Sequence, residues 1–132
     1  GGGDRLFGGP SPDTLRGGNG ADWLTGGAGG DSFVFNTSPS AANIDTITDF
    51  NVAADRIRLE NSVFAALGAA GTLTADKFHI GAAAHDASDR IIYNAATGRL
   101  YFDADGAGGA AQIQIATLGS GLLLSNADFV VI

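Results

Sequence analysis

At 132 residues the chain is long enough for one domain with a modest core, and 21 glycines without a Gly-X-Y period exclude collagen. The net charge of −7 comes almost wholly from aspartate, 13 residues against the single Glu60. Lys77 is the only lysine beside six arginines, which excludes nucleic acid and charge-driven binding to an anionic membrane. The absence of cysteine removes a disulfide scaffold and any thiolate metal site.

The first 36 residues carry a period of nine. Gly17 to Thr25 (GGNGADWLT) and Gly26 to Val34 (GGAGGDSFV) both fit the template Gly-Gly-x-Gly-x-Asp-x-apolar-x. Gly8 to Arg16 (GGPSPDTLR) fits with Ser11 in place of the third glycine, and Gly2, Asp4 and Leu6 fall in phase before it. Asp4, Asp13, Asp22 and Asp31 are therefore nine apart, as are Leu6, Leu15, Leu24 and Phe33. A glycine-rich nonapeptide of this kind predicts a parallel β-helix repeat that binds calcium. Its hexapeptide makes a turn in which glycine permits positive φ and close approach of two chains, and its last three residues make a strand whose apolar member points inward. Two nonapeptides make a coil, so Asp4 faces Asp22 and Asp13 faces Asp31 across stacked turns. Carboxylates and glycine carbonyls between such turns form a hard oxygen cage, which suits Ca²⁺. The expected ligand set is Asp4, Gly8, Gly9, Asp13, Gly17, Gly18, Gly20, Asp22, Gly26, Gly27, Gly29 and Asp31. A flexible glycine linker is the competing reading, but a linker has no reason to hold aspartate and an apolar residue in phase.

Beyond the repeats, Ser32 to Asn36 extends the last strand and residues 37–43 read as loop. Ile44 to Phe50 (IDTITDF) alternates as a strand. Asp49 lies 18 residues after Asp31, the stacking distance of a coil, and is expected to close the last calcium site; Asp45 reads as a solvated strand residue. Arg56 to Glu60 predicts a strand with Ile57 and Leu59 inward, followed by a short helix around VFAAL that Gly68 stops. A one-turn helix after Thr74 leads to a strand around Phe78 and Ile80. Asp89 to Asn94 and Arg99 to Asp103 flank AATG as a β-hairpin, and residues 105–111 turn the chain again. Gln112 to Leu118 predicts a strand with Ile113 and Ile115 inward; Ser125 and Asp128 form a capping box before FVVI. Leu73-Thr74…Phe78 and Leu124-Ser125…Phe129 suggest two similar helix-to-strand corners. The expected core is Phe33, Phe35, Phe50, Ile57, Leu59, Phe64, Ile92, Leu100, Phe102, Ile113, Ile115, Leu118 and Phe129, and Trp23, at an outward position, is expected to be covered by the second half of the chain.

Other candidate chemistry is weak. Asp103-Ala104-Asp105-Gly106 begins like an EF-hand loop, but Ala107 stands at an oxygen-ligand position and Gln114 at that of the bidentate glutamate, so it reads as a turn. His79 and His85 lack HExxH spacing and read as unrelated surface or satisfied histidines. Leu118 occupies the first glycine of a would-be GxSxG at Gly119-Ser120-Gly121, and GGAGGD lacks the Lys-Ser/Thr ending of a phosphate loop. No nucleophile–base pair is visible, so the chain itself is expected not to be an enzyme.

The nonapeptides resemble the RTX (repeats-in-toxin) β-roll of exoproteins exported by bacterial type I secretion. DSFVFN, NIDTITDFNVAADRIRL, RIIYNAATGRLYFDADG and the closing DFVVI resemble the C-terminal part of serralysin-type metalloproteases. The resemblance implies an all-β chain, with a Ca²⁺-binding β-roll at 1–36 merging into an antiparallel β-sandwich cap with minor helix at 37–132. It implies a secreted, extracellular protein and an uncleaved C-terminal export signal, ending in Asp128, Phe129, Val130, Val131 and Ile132 and read by a type I ABC exporter. The sequence departs from the family at GGPSPD, where Pro10 and Pro12 remove two backbone donors; two or three Ca²⁺ ions are expected. Gly1 begins inside a repeat, which fits the C-terminal part of a longer protein with an enzyme upstream. The alternative function is binding of polysaccharide or a cell surface, with Trp23, Tyr93 and Tyr101 as the aromatic material.

Overall fold

The computed structural model describes residues 3–107 and 111–132, so Gly2 of the first repeat and the middle of the turn at 105–111 lie outside it. The fold is all-β. Its strands are β1 (Arg5–Phe7), β2 (Thr14–Arg16), β3 (Trp23–Thr25), β4 (Ser32–Phe35), β5 (Asp45–Ile47), β6 (Arg56–Leu59), β7 (Gly71–Thr72), β8 (Phe78–Ile80), β9 (Ile91–Asn94), β10 (Arg99–Phe102), β11 (Ile113–Thr117) and β12 (Phe129–Val131). Single 3₁₀ turns span Ala65–Leu67, Ala75–Lys77 and Asn126–Asp128.

Each nonapeptide contributes one turn and one strand, so successive strands alternate between two sheets. One sheet has the order β1-β3-β5-β11-β10-β9-β8 and the other β2-β4-β6-β12-β7. Leu6 pairs in parallel register with Leu24, and Leu15 with Phe33, so the stacking distance within the repeats is the 18 residues that the period predicts. The middle residue of each triplet points between the sheets: Leu15, Leu24 and Phe33 are buried, and Leu6 packs against them from the end.

Both sheets continue past the repeats. β5 adds to β3 and β6 to β4, still parallel, and β11 and β12 join them in parallel as well. Antiparallel pairing enters with β9, β10 and β11, whose first hairpin turns at Gly98 (φ +79°), and with β7 against β12. β8 and β9 are again parallel, so the second half is a sandwich of mixed rather than purely antiparallel strands. One core runs through both halves and includes the ring pairs Phe33–Phe50, Phe64–Phe102 and Phe78–Phe129, with centroids 5.1 to 6.1 Å apart.

The predicted corners both form. Thr74 and Ser125 each precede a 3₁₀ turn that feeds directly into a strand, and Ser125 and Asp128 complete a capping box. Three expectations are corrected. Ile113 is 40% exposed: it pairs with Phe102 as the first residue of β11, at the strand end beside the turn, while a β-bulge where Leu100 and Tyr101 pair with β11 puts Ile115 and Ala116 both inward. Trp23 is 51% exposed, with the Arg5 guanidinium 5.7 Å from its ring centroid, because the second half of the chain extends the sheet edgewise and leaves its outer face open. His79 and His85 do not stand apart; their rings stack at 4.0 Å.

A candidate calcium centre between stacked turns

The turns that link the two sheets lie in two columns. One column stacks residues 8–13, 26–31 and 49–55; the other stacks Asp4, residues 17–22 and residues 36–45. Within each column the aspartate that ends a turn accepts the backbone N–H of the aspartate one coil earlier. Asp22 Oδ1 takes the amide of Asp4 at 2.7 Å and Asp31 Oδ1 that of Asp13 at 2.9 Å. Asp45 Oδ1 takes the amide of Asp22 at 3.0 Å, and Asp55 Oδ1 that of Asp31 at 2.9 Å. The result is two ladders, Asp4–Asp22–Asp45 and Asp13–Asp31–Asp55.

Each ladder leaves oxygen unused. Asp13 Oδ2, Asp22 Oδ2 and Asp31 Oδ2 are buried and accept no hydrogen bond. An unpaired buried carboxylate oxygen is costly unless a proton or cation takes it up. Each of these oxygens lies against the first glycine of its own turn. A Cβ on Gly8 would sit 2.6 Å from both Asp13 Oδ2 and the Gly26 carbonyl; a Cβ on Gly17 would strike Asp22 Oδ2, and one on Gly26 would strike Asp31 Oδ2. The second glycines, Gly9, Gly18 and Gly27, and the fourth-position Gly20 and Gly29 have positive φ, between +82° and +109°. Glycine at these positions lets the turns approach: a Cβ on Gly27 would strike the Gly9 carbonyl, and one on Gly29 would sit 2.9 Å from Pro12 N. Pro10 and Pro12 do not stop the stacking, since the Gly9 amide still donates to the Gly26 carbonyl at 3.1 Å. Carboxylate oxygens without hydrogen donors, that of Asp13 beside the Gly26 carbonyl, fit a hard cation such as Ca²⁺.

The site residues expected within the repeats are brought together in these two columns. Asp49 is placed differently. Past the repeats the stacking distance lengthens to 23 residues in one sheet and 24 in the other, so Asp49 stands over Gly26 and not over Asp31. Its two oxygens accept the amides of Gly26 and Gly27 at 2.9 and 2.8 Å, closing that column. The aspartate stacked on Asp31 is Asp55, fully buried, whose Oδ2 also accepts the amide of Asn51 at 2.8 Å. Asp45 is likewise buried rather than solvated. Burial pushes its carboxyl up to about 7; the amide of Asp22 works against that rise and the charge of Asp22 adds to it. The signal that finds both residues is the triplet Asp-x-apolar, which survives in Asp45-Thr46-Ile47 and Asp55-Arg56-Ile57 although the period does not.

Asp128 to Val131 form the brace and strand of β12, held between β6 and β7, with Asp128, Phe129 and Val131 buried. Tyr93 is fully buried and its hydroxyl donates to the Gly119 carbonyl, which removes it from any surface platform. Among the described residues no helix is long and apolar enough to cross a membrane.

None of the curated proteins matches the chain. The crystal structure of the C-terminal domain (RV) of MpAFP is similar, with 32% sequence identity over 87% of this chain and 75% of that one and a TM-score of 0.48. The family described as the RTX calcium-binding nonapeptide repeat matches residues 1–33 in four copies. With four such repeats in register and an oxygen-lined column on either side of the roll, the chain belongs to the RTX calcium-binding repeat proteins.

Proposed function

We propose that this chain is a non-catalytic, calcium-triggered folding module of a secreted bacterial protein, exported unfolded by a type I ABC transporter and folded outside the cell. The observation that carries the reading is the set of unpartnered oxygens on Asp13, Asp22 and Asp31, each facing a glycine cradle. These aspartates, with the carbonyls of the repeat glycines, would hold two or three Ca²⁺ ions. Asp4 adds its charge at the first coil and Asp49 at the end of its column. The roll at 1–36 carries the metal, and the sandwich at 37–132 terminates it.

Without metal, stacked carboxylates repel one another and the glycines lose much backbone entropy on ordering. The repeats then stay extended, as passage through a narrow channel requires. Free Ca²⁺ is low in the cytosol and far higher outside. A ligand that binds only the folded state stabilises it by RT ln(1 + [L]/Kd), so a Kd on the order of 10⁻⁴ to 10⁻³ M, usual for extracellular modules, turns the gradient into a switch. Asp128, Phe129, Val130, Val131 and Ile132 serve twice in this scheme. They are the end of the export signal while the chain is extended and the last core strand once it folds, so folding hides the address.

Far-UV circular dichroism in EDTA, followed by a Ca²⁺ titration with Mg²⁺ as control, tests the proposal. A cooperative gain of β signal with Ca²⁺ alone is expected. A full β spectrum in EDTA that Ca²⁺ does not move would leave a preformed structural domain and remove the switch.

A second reading, binding of polysaccharide or a cell surface, is supported by one local feature. Phe7 and Trp23 are exposed on adjacent strands of the same sheet, with Arg5 against the indole. Glycan binding that survives Trp23→Ala would count against it.

A further inference from the structure

We propose a second metal site, chemically distinct from the calcium columns, at His79, His85 and Asp89, built for a nitrogen-seeking divalent transition ion such as Zn²⁺. β8 and β9 lie side by side in parallel, and the loop joining them, 81–90, folds back over the end of the pair. It lays the His85 ring on that of His79, at 4.0 Å between centroids and 23° between planes. Asp89, the last loop residue but one, sits beneath them with 1% of its surface exposed. One ligand atom from each of the three lies within 4.8 Å of the others.

Two features separate this cluster from an ordinary histidine–aspartate hydrogen bond. Asp89 Oδ2 already accepts the His85 amide at 2.8 Å and faces His85 Nδ1 at 2.5 Å, while Asp89 Oδ1 is buried with no partner at all. A loop lock needs only the first oxygen. The second is an uncompensated buried acceptor, which a cation bound beside the imidazoles would satisfy. In addition, the frame around the cluster is tied down. Asp86 Oδ1 accepts from the Ser88 amide and hydroxyl and from the Asp89 amide, Ser88 Oγ donates to the Asp76 carbonyl, and Gln112 Nε2 donates to the Ala82 carbonyl. Gly81 packs on the His79 ring so closely that a Cβ there would sit 2.7 Å from Nε2.

The donor set decides the ion. Two imidazoles and one carboxylate are the ligands of Zn²⁺ and its neighbours in the first transition row, whereas Ca²⁺ and Mg²⁺ prefer oxygen alone. Asp86 Oδ2, 3.5 Å from His85 Nε2, is placed to fix the ring nitrogen that faces away from Asp89, as outer carboxylates do for ligating histidines. Three protein ligands leave a coordination position open, and the half-exposed His85 side chain puts it at the surface.

The test is calorimetric titration of the whole 132-residue chain with ZnCl₂ in saturating Ca²⁺, so that the roll is folded and filled, with MgCl₂ as control. One Zn²⁺ per chain is expected, with affinity falling about tenfold or more in His79→Ala and in His85→Ala while the Ca²⁺-dependent circular dichroism stays unchanged. Absence of saturable Zn²⁺ binding, or binding undiminished in the double variant, would reduce the cluster to a hydrogen-bonded loop lock. Should the variants fold poorly, imidazole ¹⁵N shifts of the unmodified chain decide: both histidines must move with added Zn²⁺, and unmoved shifts overturn the site.

Discussion

Asp22 and Asp31 each divide their two oxygens, one accepting an amide from the previous coil and the other left without a donor. Asparagine keeps the first function and loses the second. Asp31→Asn is therefore expected to preserve the stacking of Asp13 on position 31 but to raise the Ca²⁺ midpoint of folding about tenfold or more, or about 1.4 kcal/mol. An unchanged midpoint in a dichroism-monitored titration would take Asp31 out of the site. Asp45 sets a pH dependence of opposite sign to that of the metal. Its carboxyl is pushed from 3.8 up to about 7, so in that window the folded chain holds a proton that the unfolded chain has released. Metal-free folding is then favoured as pH falls through about 7 and penalised in full above it. Calcium demands ionised carboxylates and binds less well in acid. In EDTA the β signal should grow between about pH 8 and pH 5, while the Ca²⁺ midpoint should rise over the same interval. Parallel trends in the two series would contradict the assignment.

At the scale of the element, one device recurs: an aspartate at the start of a strand, either its first residue or one or two residues before it, bracing backbone amides. Asp22, Asp31, Asp45, Asp55, Asp89 and Asp128 all do this, inside and outside the nonapeptides. Asp55 braces two amides at once, those of Asp31 and Asn51. Asp55→Ala leaves both without an acceptor, at about 1–3 kcal/mol each, which chemical denaturation in saturating Ca²⁺ would register. A negligible change would mean that the brace is dispensable. The nine-residue period made the roll readable because stacked turns demand the same residue types at the same phase. It could not reveal Asp55, because the loop between β4 and β5 and the turn before β6 are both longer than the repeat's six residues, and the stacking distance shifts from 18 to 24 residues. For the same reason Asp49, correct by counting, stands over Gly26. The exposure of Ile113 has another cause, since alternation tells which face of the sheet a residue takes and not how far along the strand the core reaches. The histidine cluster was illegible because a strand residue, His79, and a loop residue six further on, His85, have no fixed geometry until both ends of that loop are anchored.

For the whole molecule, the continuity of both sheets across residue 36 matters more than the change in composition there. β4 of the last repeat pairs with β6, and β6 with β12, so the final strand is two strands from the metal column. Phe129→Ala, which empties a fully buried position against Phe78, should cost about 3–5 kcal/mol and weaken the roll as well as the sandwich. The fluorescence of Trp23 and the hydrogen-exchange protection of β9 and β10 should respond to Ca²⁺ with one midpoint. Protection of β9 and β10 in EDTA, with Trp23 still in a disordered environment, would show two independent units. The identical register of β1 on β3 and of β2 on β4 has a further consequence. Every coil presents the same face to the next, so the roll has a natural quantum of length. Removing or duplicating 18 residues in phase would leave each remaining junction as it was, whereas a change of nine would exchange the two sheets and strand every later element on the wrong side. Growth of such a molecule is thus constrained to whole coils, and its sandwich serves as a fixed stop against which a column of any height can be built.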